Sequence, residues 1–104
     1  GLGDVYKRQD VNPSVPAEFA LEPAYPNPFN PTTTINFGIS EPSNVDMSVY
    51  NINGQLVKTL KDGFMEVGYY TEVWDATSNP SGIYVIRMST STGFNSTQKI
   101  VLVK

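Results

Sequence analysis

The arrangement most similar to a metal site is a run of oxygen-bearing side chains at alternate positions. Asp75, Thr77 and Asn79 have the i, i+2, i+4 spacing that opens a calcium-binding loop. The remainder of that pattern is missing, because Pro80 stands where the loop needs glycine and Ile86 stands where it needs a bidentate glutamate. We therefore interpret Asp75 as the start of an Asx turn, and we predict neither a metal site nor a cofactor.

Paired carboxylates are the second candidate for chemistry. Glu66 and Glu72 are the acidic residues closest to a tyrosine-rich segment, but glycoside hydrolysis needs two such groups across a cleft, for which a small domain has little room. The sequence has no His and no Cys, so the commonest general base and the thiol nucleophile are both missing. We predict no catalytic residue and a non-enzymatic function.

Aromatic side chains could instead form a flat surface on which sugar rings stack. Tyrosine is also favoured in strands, and a lone tryptophan is often buried, so core positions explain the same residues. The aromatic candidates are Tyr6, Tyr25, Tyr50, Tyr69, Tyr70, Tyr84 and Trp74.

Composition limits the class of protein. The chain has 104 residues, of which 39% are hydrophobic and 16% charged, with a net charge of −3. This length is typical of one domain. A weakly acidic chain without a basic cluster is a poor nucleic-acid binder, and no apolar run is long enough to span a membrane. The chain begins at Gly1 rather than Met, and we interpret it as the tail end of a longer protein.

Alternation of apolar and polar residues predicts the elements that position these side chains. Six strands are expected, with a further short one around Phe19 and Leu21. Turns are predicted at 41–44, at Asn53-Gly54, and in a loop flanked by Asp62-Gly63 and Gly68. The fold class is therefore all-β, an immunoglobulin-like antiparallel β-sandwich of about seven strands. The six strands lie at 32–39, 45–50, 55–60, 69–75, 83–90 and 96–103.

A proline-rich segment precedes the first long strand. Its prolines fix φ and lack the N–H donor, so it cannot be a central strand. We predict that Tyr25 and Phe29 anchor it to the core. Other residues predicted to be mostly buried are Ile35, Phe37, Met47, Val49, Leu56, Trp74 and Ile83.

Several motifs together resemble one known family. In chain order they are Tyr25-Pro26-Asn27-Pro28-Phe29-Asn30-Pro31, Thr34-Ile35-Asn36-Phe37, Val49-Tyr50-Asn51, Gly54-Gln55-Leu56-Val57, Gly68, Trp74-Asp75, Ser81-Gly82-Ile83-Tyr84 and Lys99-Ile100-Val101-Leu102-Val103-Lys104. This ordered set resembles the type IX secretion system C-terminal sorting domain, type A, and a related domain of the flagellar hook-assembly protein shares several of its features. Glu72 departs from the pattern, since the family often has an apolar residue there.

The resemblance implies a secretion signal. Residues 21–104 would form the sorting domain and residues 1–20 a linker or a non-native N-terminal segment. Such a domain directs an N-terminal cargo across the outer membrane through the type IX translocon, and a sortase-like protease commonly removes it at the cell surface. The resemblance gives these sorting-signal residues: Pro26, Asn27, Pro28, Phe29, Asn30, Pro31, Gly54, Gly82, Tyr84, Lys99, Leu102 and Lys104.

Two alternatives remain open at this point. The last strand, between Lys99 and Lys104, is either a terminal signal offered to a receptor by edge pairing or an edge that lysines protect from aggregation. The whole module is alternatively a carbohydrate-binding or adhesive sandwich of a secreted protein. An exposed coplanar row of aromatic rings would favour that alternative, whereas joint burial of Trp74 and Phe37 would favour the sorting domain.

Overall fold

The protein was analysed as a computed structural model, which describes residues 16–104. These residues form seven strands and no helix. None of them therefore belongs to a helix that could cross a membrane. The strands are β1 (Ala20–Leu21), β2 (Thr32–Ile39), β3 (Ser43–Asn51), β4 (Leu56–Met65), β5 (Gly68–Asp75), β6 (Gly82–Thr90) and β7 (Asn95–Leu102).

The strands form two antiparallel sheets that pack face to face. One sheet has the order β1-β2-β5, and the other has the order β4-β3-β6-β7. The predicted immunoglobulin-like β-sandwich is therefore confirmed. The alternation of apolar and polar residues predicted these strands because each strand presents one face to the opposite sheet and the other to solvent.

Two of the predicted connections are shorter than expected. β3 begins at Ser43, inside the predicted turn 41–44, and β4 continues through Asp62-Gly63 to Met65. Asp62 pairs with Asp46 across the β3–β4 ladder. Pairing with a neighbouring strand outweighs the local turn preference of an Asp-Gly dipeptide, so the true connection between β4 and β5 is only residues 66–67.

The core lies between the two sheets. Of the residues predicted to be buried, Ile35, Phe37, Met47, Val49 and Trp74 are at most 2% exposed, which confirms them. The apolar core is completed by Ala24, Phe29, Ile39, Val45, Met65, Ala76, Tyr84, Ile86, Met88, Ile100 and Leu102.

Three predictions of burial are wrong. Tyr25 is 79% exposed, Leu56 58% and Ile83 42%. β6 has apolar residues on both faces, and Tyr84 rather than Ile83 faces the core. Leu56 is the first residue of β4, beside the hairpin turn. In the proline-rich segment Ala24 and Phe29 point into the core, whereas Tyr25, which lies between them in the sequence, points outward.

The burial of Phe37 gives a test of the core. Phe37→Ala should lower the free energy of unfolding by about 3–5 kcal/mol, because it removes a fully buried ring. Phe64→Ala is the matched control, since Phe64 is 59% exposed in β4, and should cost less than about 1 kcal/mol. Urea unfolding of both variants measures the difference, and equal losses would contradict the assignment of Phe37 to the core.

Candidate functional site

The proline-rich segment 22–31, here called the proline strap, lies along the edge of β7. The side-chain amide of Asn27 bridges two backbone groups of this strand. Its Nδ2 donates to the carbonyl oxygen of Lys99 (3.1 Å), and its Oδ1 accepts from the backbone nitrogen of Val101 (3.0 Å). Because the flanking prolines lack an N–H, the asparagine side chain supplies hydrogen bonds that a strand backbone would otherwise make.

Phe29 adds backbone hydrogen bonds to the same strand edge. Its nitrogen donates to the carbonyl oxygen of Val101 (2.9 Å), and its carbonyl oxygen accepts from the nitrogen of Val103 (2.9 Å). These bonds form a parallel bridge between Phe29 and Leu102, and both side chains are buried. The strap therefore occupies the part of the β7 edge on which both interpretations of the last strand depend.

The start of the strap is held by the side chain of Gln98. Its Oε1 accepts from the backbone nitrogen of Ala24 (2.8 Å), and its Nε2 donates to the carbonyl oxygen of Glu22 (2.7 Å). Sequence reasoning missed Gln98, since nothing local distinguishes a glutamine that contacts residues 76 positions away.

The strap also pairs with the other sheet. Tyr25 and Thr34 exchange two backbone hydrogen bonds of 3.0 Å, and the buried hydroxyl of Thr33 donates to the carbonyl oxygen of Pro26 (2.8 Å). The strap therefore joins β2 in one sheet to β7 in the other, and it closes that side of the sandwich. Three of its four X–Pro bonds, those before Pro26, Pro28 and Pro31, are cis.

A cluster of aromatic rings lies beneath the strap. Trp74 packs between Phe29 and Tyr84, with ring centroids 5.6 and 5.2 Å apart. The Tyr84 hydroxyl donates to the carbonyl oxygen of Pro80 (2.6 Å), which is the tyrosine-corner arrangement of immunoglobulin-like sandwiches. The buried Phe29 side chain thus fixes the strap to Trp74 of one sheet, and Trp74 in turn packs against Tyr84 of the other.

Asp75 forms the predicted Asx turn rather than a calcium loop. Its Oδ1 accepts from the backbone nitrogen of Thr77 (3.0 Å) and from the Thr77 hydroxyl. These hydrogen bonds favour the ionised carboxylate and hold the pKa of Asp75 below its ordinary value. Within residues 16–104, no three potential metal-ligating His, Cys, Asp or Glu side chains come together.

The last residues of the chain contact the same turn region. The Lys104 ammonium donates to the carbonyl oxygen of Thr77 (2.6 Å), and the Lys104 backbone nitrogen donates to the hydroxyl of Ser81 (3.2 Å). Lys99 is exposed on β7, and its carbonyl oxygen accepts from the Asn27 amide. Lys99 therefore lies within the part of the last strand that the strap contacts, and Lys104 lies just beyond the last of these contacts, at Val103.

The structure brings most of the predicted signal residues together at one end of the sandwich. The strap, the end of β7 and the start of β6 meet there, since Gly82 pairs with Leu102. Gly54 lies at the tip of the β3–β4 turn with φ +80°, a conformation that favours glycine. An open groove connects that turn to Gly82 and Tyr84, but the strap hydrogen bonds do not extend to Gly54.

The aromatic residues do not form a sugar-stacking row in the described part of the chain. Trp74 and Tyr84 are buried, as is Phe37. Tyr25 and Tyr69 are exposed, but they pair with Thr34 and Gly38, which are about 13 Å apart along a strand. Tyr6 lies outside the described residues.

The two acidic candidates also occupy structural positions. Glu66 is exposed in the β4–β5 turn, where its carbonyl oxygen accepts from the Tyr70 hydroxyl (2.8 Å). Glu72 is half-buried in β5 on the face that carries Trp74. An edge position lets a carboxylate share that face with apolar residues while keeping contact with water.

A comparison with models of known protein families shows to which family the chain belongs. The family model described as "Secretion system C-terminal sorting domain" matches residues 23–104. The chain belongs to this family. No curated protein matches it. The domain is a type IX secretion sorting signal, and proteins that carry it are secreted across the outer membrane to the cell surface or the extracellular space. The predicted resemblance is confirmed.

The bridging role of Asn27 can be tested directly. Asn27→Ala should speed amide exchange at Val101 and lower the free energy of unfolding by about 1–2 kcal/mol, since a backbone donor and acceptor lose their partners. Asn30→Ala, in an exposed strap residue, is the control and should change neither quantity. Unchanged exchange at Val101 in the Asn27 variant would show that the strap does not cover β7 in solution.

The Asx turn predicts a pH effect. Thr77→Val removes the hydroxyl donor and should raise the pKa of Asp75 toward its ordinary value, which an NMR titration of the carboxyl would detect. Because the folded-state pKa is lowered, the stability from this carboxylate is present above its ordinary pKa and is lost as pH falls through the lowered value. An Asp75 pKa that is the same in both proteins would contradict this role of Thr77.

Proposed function

We propose that the secretion machinery recognises one folded surface, formed by the proline strap, β7 and Lys104. The observation that carries this proposal is the bridge from Asn27 to the backbone of Lys99 and Val101. It joins two segments that are far apart in the chain, each of which contains predicted signal residues. On this proposal the residues that carry the signal are Pro26, Asn27, Pro28, Phe29, Asn30, Pro31, Gly82, Tyr84, Lys99, Leu102 and Lys104, with Gly54 shaping the neighbouring turn.

Recognition then depends on side chains rather than on pairing with a free strand. The strap already bonds to the carbonyl oxygens of Lys99 and Val101 and to the nitrogens of Val101 and Val103. A receptor that approaches this edge meets the exposed residues of the strap and the two lysines. Positive charge at these lysines would steer an acidic receptor surface and select its orientation.

Within this mechanism we propose specific partners. A cargo protein precedes the domain, the outer-membrane translocon of the type IX system carries both, and a sortase-like protease at the cell surface removes the domain. We assign residues 21–104 to the sorting domain and residues 1–20 to a linker or a non-native N-terminal segment. Phe19 stacks on Phe94 (ring centroids 5.5 Å) and Ala20 pairs with Gly38, so the end of this segment contacts the sandwich.

We further propose that the domain acts by binding alone and has no enzymatic activity. The groups assembled at its candidate site are amides, backbone carbonyls, lysines and buried aromatic rings. These groups hold and orient segments of the fold. The family is non-catalytic in general, which supports the same conclusion.

A charge substitution tests this proposal more cleanly than a truncation. Removing residues 101–104 would also remove the buried Leu102 and the hydrogen-bond partners of Phe29, so a failure of export would not separate recognition from folding. We therefore propose fusing the full chain to a reporter in a host with type IX secretion, and comparing Lys99→Ala/Lys104→Ala with Lys58→Ala/Lys61→Ala. The control pair lies on β4 and carries the same charge.

We expect the Lys99/Lys104 variant to accumulate in the periplasm with at least about a ten-fold loss of surface reporter, a change equivalent to about 1.4 kcal/mol of binding. The Lys58/Lys61 variant should be exported normally. Thermal unfolding of both purified variants verifies that the fold is intact. Normal export of a folded Lys99/Lys104 variant would refute the role of these lysines in recognition.

A further inference from the structure

The outer edge of β5 is the least protected sheet edge in residues 16–104. The strap covers β7, and β1 has only two residues. β4 has two register shifts against β3 and carries Lys58 and Lys61, and both features discourage pairing with another chain. β5 is eight residues long, has neither proline nor lysine, and pairs with β2 without a register shift.

The pattern of hydrogen bonds between β2 and β5 shows which backbone groups of β5 point away from β2. The nitrogen of Ala76 donates to the carbonyl oxygen of Pro31 (2.8 Å). Hydrogen-bonded and non-hydrogen-bonded pairs alternate in an antiparallel ladder, so the even-numbered residues of β5 bond to β2. The N–H and C=O groups of Tyr69, Thr71 and Val73 therefore point to the open edge. Within residues 16–104, no other strand pairs with them.

The side chains of these residues suit strand pairing. Tyr69 is 59% exposed and Val73 is 55% exposed, and both are strong strand formers on the outer face of the sheet. Between them, the hydroxyl of Thr71 donates to Oδ1 of Asn36 (2.7 Å) on β2. A partner strand would find an ordered, partly apolar row there, beside unpaired backbone groups.

The acidic residues around β5 indicate which kind of partner strand would fit this edge. Glu66, Glu72 and Asp75 lie in or next to β5, and the sheet formed by β1, β2 and β5 contains no Lys or Arg. In a new antiparallel pair Glu72 would occupy a non-hydrogen-bonded position, where opposite side chains are closest. A lysine or arginine facing Glu72 would form an ion pair, whereas a second copy of β5 would bring acidic residues together.

We propose that the free edge of β5 binds an extended, cationic segment of a partner protein by β-strand addition. The segment pairs antiparallel with Tyr69–Val73, places β-branched or aromatic residues beside Tyr69 and Val73, and places a lysine or arginine opposite Glu72. This surface lies on a different strand edge from the strap, and its occupation is independent of the sorting signal.

A designed peptide tests the proposal on the full chain. The probe is acetyl-Thr-Tyr-Lys-Thr-Val-Val-Thr-amide, whose lysine faces Glu72 in the register described above. The control peptide has glutamate in place of that lysine. In an NMR titration, the lysine peptide should shift the amide signals of Tyr69, Thr71 and Val73 and slow their exchange. It should bind at least about three-fold more tightly than the glutamate peptide, as expected for a favourable cross-strand pair.

Substitutions in β5 distinguish the contribution of backbone hydrogen bonds to peptide binding from the contribution of charge. Thr71→Pro removes the edge N–H without removing a β2–β5 hydrogen bond and should abolish peptide binding. Thr71→Val is the matched control, because it loses the same hydroxyl but keeps the N–H, and it should still bind. Glu72→Gln should reduce the preference between the two peptides to near unity, and Glu72→Lys should reverse it.

Four results would overturn the proposal. The first is binding of the lysine peptide to the folded Thr71→Pro variant with unchanged affinity. The second is equal affinity for the two peptides in the unsubstituted protein, and the third is absence of binding to it. Concentration-dependent dimerisation through β5, measured by sedimentation, would assign the edge to a second copy instead and would also contradict the proposal.

Discussion

Proline cannot donate a backbone hydrogen bond, and this constraint determines how the two ends of the domain meet. Segment 22–31 has a proline on each side of Asn27, so its backbone alone cannot complete a ladder with β7. The Asn27 amide and the backbone of Phe29 provide the missing donors and acceptors. The last strand of the chain is consequently shielded from edge-to-edge aggregation by a segment about 70 residues earlier.

The core beneath the strap follows from the same arrangement. Phe29 can reach Trp74 because the hydrogen bonds to β7 fix its backbone, and Trp74 in turn contacts Tyr84 in the opposite sheet. An antibody domain links its sheets by a disulfide beside a buried tryptophan. This chain contains no cysteine, and three aromatic rings with a tyrosine corner take that place. Within residues 16–104 no buried side-chain polar atom lacks a hydrogen bond.

Period-two alternation was sufficient to predict the sandwich, the strands and the burial of Phe37 and Trp74, because one face of each strand must exclude water. It failed where both faces are apolar, as at Ile83, and where a strand runs through a turn signal, as at Asp62-Gly63. The motifs also named segments that the fold brings together, namely the strap, β7 and the start of β6. The contact between Asn27 and β7 could not be predicted, since pairing across 72 residues leaves no local pattern.

The central claim is that the strap and the last strand are recognised together as one folded surface. Photo-crosslinking in secreting cells tests it most directly, with the crosslinker placed separately at the exposed Tyr25 of the strap, at the exposed Val103 after β7 and, as a control, at the exposed Ser91 in the turn at the opposite end of the sandwich. We expect Tyr25 and Val103 to give adducts with the same outer-membrane component and Ser91 to give none. Adducts from Ser91 alone, or different partners for Tyr25 and Val103, would contradict this account.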